Sequence, residues 1–184
     1  MQDIVDRAEA KMKSSIDAVR KELGSIRTGR ASPALVEGLH VEYYGAETPL
    51  KQLANISAPE ARTLIIQPYD RTGMAAIEKA ILKSDLGLTP NNDGQNIRLT
   101  IPTLTEERRK DLVKLVRKHL EEGRVAVRNV RREGIDHLKD MEKAKTLSSD
   151  DDKRAQERLQ KLTDTYIKQM DDIGHAKEAE VMEV

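Results

Sequence analysis

The sequence predicts an α+β protein: an elongated antiparallel three-helix bundle with a small β/α/β domain inserted into it. Three observations carry that prediction. All six prolines (Pro33, Pro49, Pro59, Pro68, Pro90, Pro102) fall between residues 30 and 103 of a 184-residue chain. Proline lacks the helical N–H and clashes with the preceding turn, so this confinement separates two kinds of structure. Charge divides the chain at the same places: residues 30–103 carry 15 of the 64 charged side chains, and the other 110 residues carry 49. Long apolar stripes at steps of three and four residues lie only outside the proline-rich stretch.

The first helix is marked by Val5, Ala8, Met12, Ile16, Val19, Leu23 and Ile26, which share one face. It stops in SIRTGRASPALVEG, residues 25–38, where Gly29 permits a turn and Pro33 keeps the helix from resuming. In the insert, His40–Tyr44, Thr63–Ile66 and Asn96–Ile101 read as strands, the last one following the turn signal Asn91-Asn92-Asp93-Gly94. Met74, Ile77, Ala80 and Ile81 give the stretch from Arg71 to Ser84 a helical spacing. The second helix of the bundle carries the stripe Leu112, Val116, Leu120, Gly123, Val127, Val130, Gly134, Leu138 and Met141. Thr105 with Glu106 and Glu107 supplies its N-cap and first-turn acids. A helix from about 105 to 145 is roughly 60 Å long at 1.5 Å per residue. Gly123 and Gly134 in its apolar stripe point to close helix approach. The third helix follows the cap Ser148-Ser149-Asp150-Asp151-Asp152 and carries Leu159, Leu162, Tyr166, Met170 and Ile173. The expected domains are therefore 1–29 with 104–184, the bundle, and 30–103, the insert.

Several function classes lose their support here. Cysteine is absent, which removes disulfides and thiolate metal sites. The N-terminus, MQDIVDRAEAKMK, has no apolar core of a signal peptide, and no run approaches the ~20 apolar residues of a membrane span. A cytoplasmic protein that binds no membrane is expected. The four histidines (His40, His119, His137, His175) form no HExxH-type spacing, and the residues around Gly29 lack the GxxxxGK[ST] phosphate loop. The acidic run 150–152 lacks EF-hand spacing and reads as a helix cap. The expectation is a binder, not an enzyme, with no metal and no cofactor of its own.

What remains is charge segregation hidden by a formal net charge of +0. Residues 105–134 hold 10 Lys/Arg and 6 Asp/Glu, whereas 147–184 hold 6 and 10. On a helical wheel with Val116 at zero, Arg131 lies at about 60°, Arg124 about 80°, Arg117 about 100°, Lys110 and Arg128 about 120°, and Lys114 and Arg132 about 160°. They form one basic flank, diluted by Glu121. A solvated helix face is the plain alternative. Arginine favours bidentate phosphate contacts, and acids at i±4 are sparse between 124 and 132. With no Phe or Trp and four Tyr, base stacking is poorly supplied, so structured RNA read by shape and charge is the matching partner. A helical adaptor or chaperone-like module that binds protein through its apolar stripes is the competing reading.

The stretches Ile26-Arg27-Thr28-Gly29-Arg30-Ala31-Ser32-Pro33, Val41-Glu42-Tyr43-Tyr44-Gly45, Asp85-Leu86-Gly87-Leu88, Leu104-Thr105-Glu106-Glu107-Arg108-Arg109-Lys110 and Arg124-Val125-Ala126-Val127-Arg128-Asn129-Val130-Arg131-Arg132 closely resemble the bacterial ribosome recycling factor family, in the same order from end to end. The resemblance implies an L-shaped, two-domain monomer, its insert joined through a two-stranded hinge at Thr28, Gly29, Arg30 and Pro102, Thr103, Leu104, Thr105. It implies binding to large-subunit ribosomal RNA and, with elongation factor G and GTP, the splitting of post-termination ribosomes, the GTP being used by that partner. Its RNA contacts map to Arg131 first and Arg128, with Arg124 and Arg132 supporting; Arg117 and Lys110 rest on the helical face alone. Arg27 and Arg30 are open between interdomain salt bridges and RNA contacts.

Overall fold

The computed structural model describes residues 1–183. Two compact units emerge, Met1–Thr28 with Thr105 onward, and Gly29–Leu104. The expected bounds assigned Gly29 and Leu104 to the bundle. The two divisions differ by one residue at each crossing, where Gly29, at φ +76°, lies against the second: a Cβ there would meet Leu104 Cγ at 3.2 Å and the Pro102 carbonyl oxygen at 3.6 Å.

The bundle contains α1 (Gln2–Gly24), α4 (Glu106–Lys143) and α5 (Ser149–Met182). The cap of α4 is Thr105, whose Oγ1 accepts a hydrogen bond from the Arg108 amide at 3.1 Å. Ser148 does the same for α5 through the Asp151 amide at 3.1 Å. Both caps satisfy amides that the first helical turn leaves unpaired, and both helices carry acids in that turn. Five residues separate α4 from α5 in a tight reversal that includes Lys145 at φ 55°, so the two helices run antiparallel. Lys11 of α1 bonds Glu133 of α4, and Val19 of α1 faces Gly123 of α4, so this pair is antiparallel too. Tyr166 of α5 donates to Glu9 of α1 at 3.0 Å and Arg158 donates to Gln2, which makes α1 and α5 parallel. The buried residues Val5, Ala8, Met12, Ile16, Val19 and Leu23 of α1 meet Leu112, Val116, Leu120, Val127 and Leu138 of α4 and Ala155, Leu159, Tyr166, Met170 and Val181 of α5.

Three glycines let the helices approach. A Cβ at Gly123 would stand 2.5 Å from Val19 Cγ2 and 2.8 Å from Met170 Sδ, and one at Gly134 would stand 2.9 Å from Leu159 Cδ1. Gly174 of α5, which the sequence pattern did not single out, is tighter: Leu120 Cδ1, Cδ2 and Cγ would lie at 2.1, 2.9 and 3.0 Å.

The insert contains more strand than its sequence announces. Strands β1 (His40–Tyr43) and β2 (Ala46–Pro49) form a hairpin closed by Tyr44 at φ 48° and Gly45 at φ 77°. A single turn, α2 (Leu50–Leu53), leads into a second sheet of β3 (Ala54–Glu60), β4 (Thr63–Pro68), β6 (Ile97–Thr100) and β5 (Pro90–Asn92), antiparallel throughout, in the order β3-β4-β6-β5. The expected β1, β4 and β6 are present; β2, β3 and β5 were not expected. The expected helix starts with a 3₁₀ turn, Arg71–Gly73, and becomes α3 (Met74–Lys83). Leu64, Ile66, Ile97 and Leu99 on one sheet face pack with Ile77 and Ile81 of α3 and with Val36, Val41 and Leu50. Tyr43 donates to Asp70 Oδ2 at 2.7 Å, and that bond pushes the Tyr43 phenol up to about 12.

Replacing Gly174 by alanine tests the close packing. Helix propensity alone favours alanine by about 1 kcal/mol, so a urea-unfolding loss of about 1–3 kcal/mol isolates the clash with Leu120. Gly24→Ala, at a position with open space around it, is the control and should lose nothing.

Candidate nucleic-acid interface

The basic flank of α4 is a consequence of the same periodicity that buries its core stripe. With Val116, Gly123, Val127 and Gly134 facing inward, residues offset by about 60–160° emerge along the side of the helix next to α5. That neighbour is acidic, and it divides the flank in two.

Toward the N-terminal half of α4, Lys110, Arg117 and Arg124 are held by carboxylates. Lys110 pairs with Glu106 at 3.0 Å, one turn away. Arg117 Nε donates to Glu178 Oε1 of α5 at 2.9 Å. Arg124 is the most constrained: its Nε donates to Asp171 Oδ1 at 2.9 Å, its Nη2 reaches the same oxygen, and its Nη1 donates to Glu121 Oε2 at 3.2 Å. The Asp171 bonds outweigh desolvation and move the Arg124 pKa further up, so the guanidinium stays charged and tied to α5. Together Arg117, Glu121, Arg124, Asp171, His175 and Glu178 line a polar depression between α4 and α5.

Beyond Arg124 the compensation fades. Arg128 has one long contact, 3.4 Å from Nη1 to Glu121 Oε1. Arg131 Nη1 donates to Gln160 Oε1, a neutral amide that leaves its charge uncancelled, and its enclosed Nε has no hydrogen-bond partner. Arg132 is exposed and makes no ion pair among the described residues; Lys114, nearer the helix start, is likewise exposed and unpaired. The structure thus brings Arg128, Arg131 and Arg132 together within two turns as the part of the flank with charge to spare. Arg117 and Arg124, which the helical wheel treats as equivalent, are engaged across the helix interface. Intrahelical spacing hid this because the neutralising acids come from α5, about 50 residues later in the chain.

The other predicted positions sit at the chain crossings. Thr28 is buried, and its Oγ1 donates to Glu180 Oε1 of α5 at 2.9 Å. Gly29 is the left-handed residue beside Pro102 and Leu104. Arg30, Pro102 and Thr103 are exposed, Leu104 is half-buried, and Thr105 caps α4. Arg27 is exposed and has no ion pair among the described residues.

A family described as "Ribosome recycling factor" matches residues 19–182. The chain is 57% identical over 182 residues to a ribosome-recycling factor of Roseiflexus castenholzii and 58% identical over 182 residues to one of Heliobacterium modesticaldum, covering 99% of this chain and 98% of each relative. Among solved structures, it superposes on the solution structure of a ribosome recycling factor with a TM-score of 0.78 at 49% identity, covering 100% of this chain and 97% of the other. It also matches, with a TM-score of 0.66 at 48% identity over 99% of this chain and 98% of the other, a chain from models for the T. thermophilus ribosome recycling factor and the E. coli elongation factor G bound to the E. coli post-termination complex.

The division of the flank has a measurable signature in stability. Arg124→Ala removes a half-buried set of charge-assisted bonds and should cost about 1–2 kcal/mol in chemical unfolding. Arg132→Ala, exposed and unpaired, should stay within about 0.5 kcal/mol of the parent.

Proposed function

Because the chain belongs to the ribosome recycling factor family, we propose that it binds the large ribosomal subunit through α4 and, with elongation factor G and GTP, splits post-termination ribosomes into subunits. The observation that carries the RNA-facing part is the cluster of Arg128, Arg131 and Arg132. These are weakly compensated guanidiniums on a 38-residue helix that two neighbouring helices hold in place. Each can make bidentate contacts to phosphate oxygens, which position a protein on RNA without reading sequence. Exposed tyrosines occur in the insert, at Tyr44 and Tyr69, and none lies on α4, so α4 binding is charge and shape recognition.

The chain's own role is mechanical. It needs no cofactor, and the GTP is used by elongation factor G. A helix pair fastened by Arg124–Asp171 and Arg117–Glu178 stays rigid while its neighbouring arginines hold RNA. The paired residues therefore support the contact surface, while Arg131, Arg128 and Arg132 make the contacts. The two crossings at Thr28–Gly29 and Leu104–Thr105 act as a hinge, with the left-handed Gly29 absorbing backbone rotation. Among the described residues no helix is long and apolar enough to cross a membrane.

Arg131→Ala should weaken binding to isolated large subunits at every salt concentration and reduce the slope of log affinity against log salt by about one. A slope unchanged from the parent would move the contact elsewhere and favour an apolar, adaptor-like mode. The function itself is tested by light scattering of post-termination ribosomes with this protein, elongation factor G and GTP. Splitting is expected only when all three are present, and its absence under every condition would refute the assignment. Gly29→Pro, which imposes a φ near −65° where the backbone needs +76°, should reduce splitting far more than large-subunit binding. Equal loss of both would argue against a hinge role.

A further inference from the structure

On the opposite flank of α4 from the arginines, at about −60° and −120° on the same wheel, lie His119 and Glu122. Across from them is Glu22, in the last turn of α1. One donor atom from each of the three side chains lies within 4.8 Å of the others. His119 Nδ1 is 3.0 Å from Glu22 Oε2 and 3.5 Å from Glu122 Oε2. That nitrogen is buried, and it is aligned with neither carboxylate as a hydrogen bond.

We propose that Glu22, His119 and Glu122 form a divalent transition-metal site, of the Zn²⁺ or Co²⁺ class, that fastens the end of α1 to the middle of α4.

The donor set is one imidazole nitrogen and two carboxylate oxygens, which suits borderline cations and leaves further positions for water. Tetrahedral ligands about 2.1 Å from a metal stand roughly 3.4 Å from one another, and the two distances from His119 Nδ1 fall on either side of that value. Two ligands one turn apart on one helix with a third from a facing helix is an arrangement helical bundles use for metals. An apo state leaves a buried nitrogen unsatisfied between two carboxylates, and a cation resolves both at once. The structure offers an internal contrast in Glu133 and His137, which also stand one turn apart at 3.8 Å. There Lys11 Nζ already donates to both Glu133 oxygens, at 2.7 and 2.9 Å, so that carboxylate is neutralised and the pair lacks a third ligand. The competing account of the first cluster is a protonated His119 held as an imidazolium between two acids, with no affinity for metal.

The two accounts part in a titration of the full-length, tag-free protein with Co²⁺ at neutral pH, followed by visible absorption and calorimetry. One equivalent should bind, the Tm should rise with Co²⁺ concentration, and Zn²⁺ should displace the Co²⁺ spectrum; Mg²⁺ should not. Paramagnetic Co²⁺ should broaden the imidazole signals of His119 while sparing those of His137, about 27 Å further along the same helix, a readout on the parent protein that needs no variant. His119→Asn and Glu22→Gln should each weaken binding by about tenfold or more, while His137→Asn should leave it unchanged. Absence of saturable binding, broadening of other histidines in place of His119, or full affinity in His119→Asn would overturn the proposal in favour of the imidazolium pair.

Discussion

The close approach of three helices at glycine is the constraint on which the bundle depends. Gly123, Gly134 and Gly174 leave gaps that Val19, Met170, Leu159 and Leu120 enter from neighbouring helices. Each glycine costs up to about 1 kcal/mol of helix propensity, and the packing it permits offsets that cost through dispersion contacts and apolar burial. The approach also sets what side chains at the edges can reach. Asp171 and Glu178 arrive within hydrogen-bonding distance of Arg124 and Arg117 because α5 lies this near to α4. Glu22 reaches His119 for the same reason on the α1 side. The ion pairs do not build the bundle; they are placed by it.

The bundle is legible in the sequence because a long helix repeats its signal. Every buried position of α1 stands in the expected stripe, and both caps sit where Thr105 and Ser148 announce them. The insert is legible only where a strand has a buried face: Ile97 and Leu99 alternate with exposed neighbours, and Leu64 and Ile66 stand in an apolar run with half-buried Ile65. β2, β3 and β5 are short or largely exposed, so no apolar alternation marks them. β2 ends on Pro49, and the other two also carry proline, Pro59 in β3 and Pro90 in β5, which would ordinarily argue against a strand. Both are edge strands in the order β3-β4-β6-β5, and an edge tolerates a missing donor.

The arginine flank was half legible for a different reason. Spacing along one helix shows which side chains share a face, and it cannot show which oxygens of another helix meet them. Arg124 and Arg131 are separated by about 20° on a wheel, yet one is tied to an aspartate and the other meets a glutamine amide. For an incoming phosphate, the first contact must displace an existing carboxylate, whereas the second adds to an uncancelled charge. His119 escaped notice on the same grounds: its two acidic neighbours are split between α4 and α1, and no spacing motif spans 97 residues of intervening chain.

The proximity of Gly29 to Leu104 also bears on how the chain assembles. The insert is contiguous, so on a growing chain it is complete before α4 and α5 exist, and domains synthesised early tend to fold as units. Once it has folded, its ends are held together, Gly29 against Leu104. The stretch that would otherwise be a flexible loop of roughly 75 residues between α1 and α4 then behaves as a connection of only a few. By the logarithmic dependence of closure entropy on loop length, that shortening is worth about 2–3 kcal/mol to the pairing of α1 with α4. The inserted domain thereby serves the bundle as a folding clasp, converting a long-range encounter into a local one.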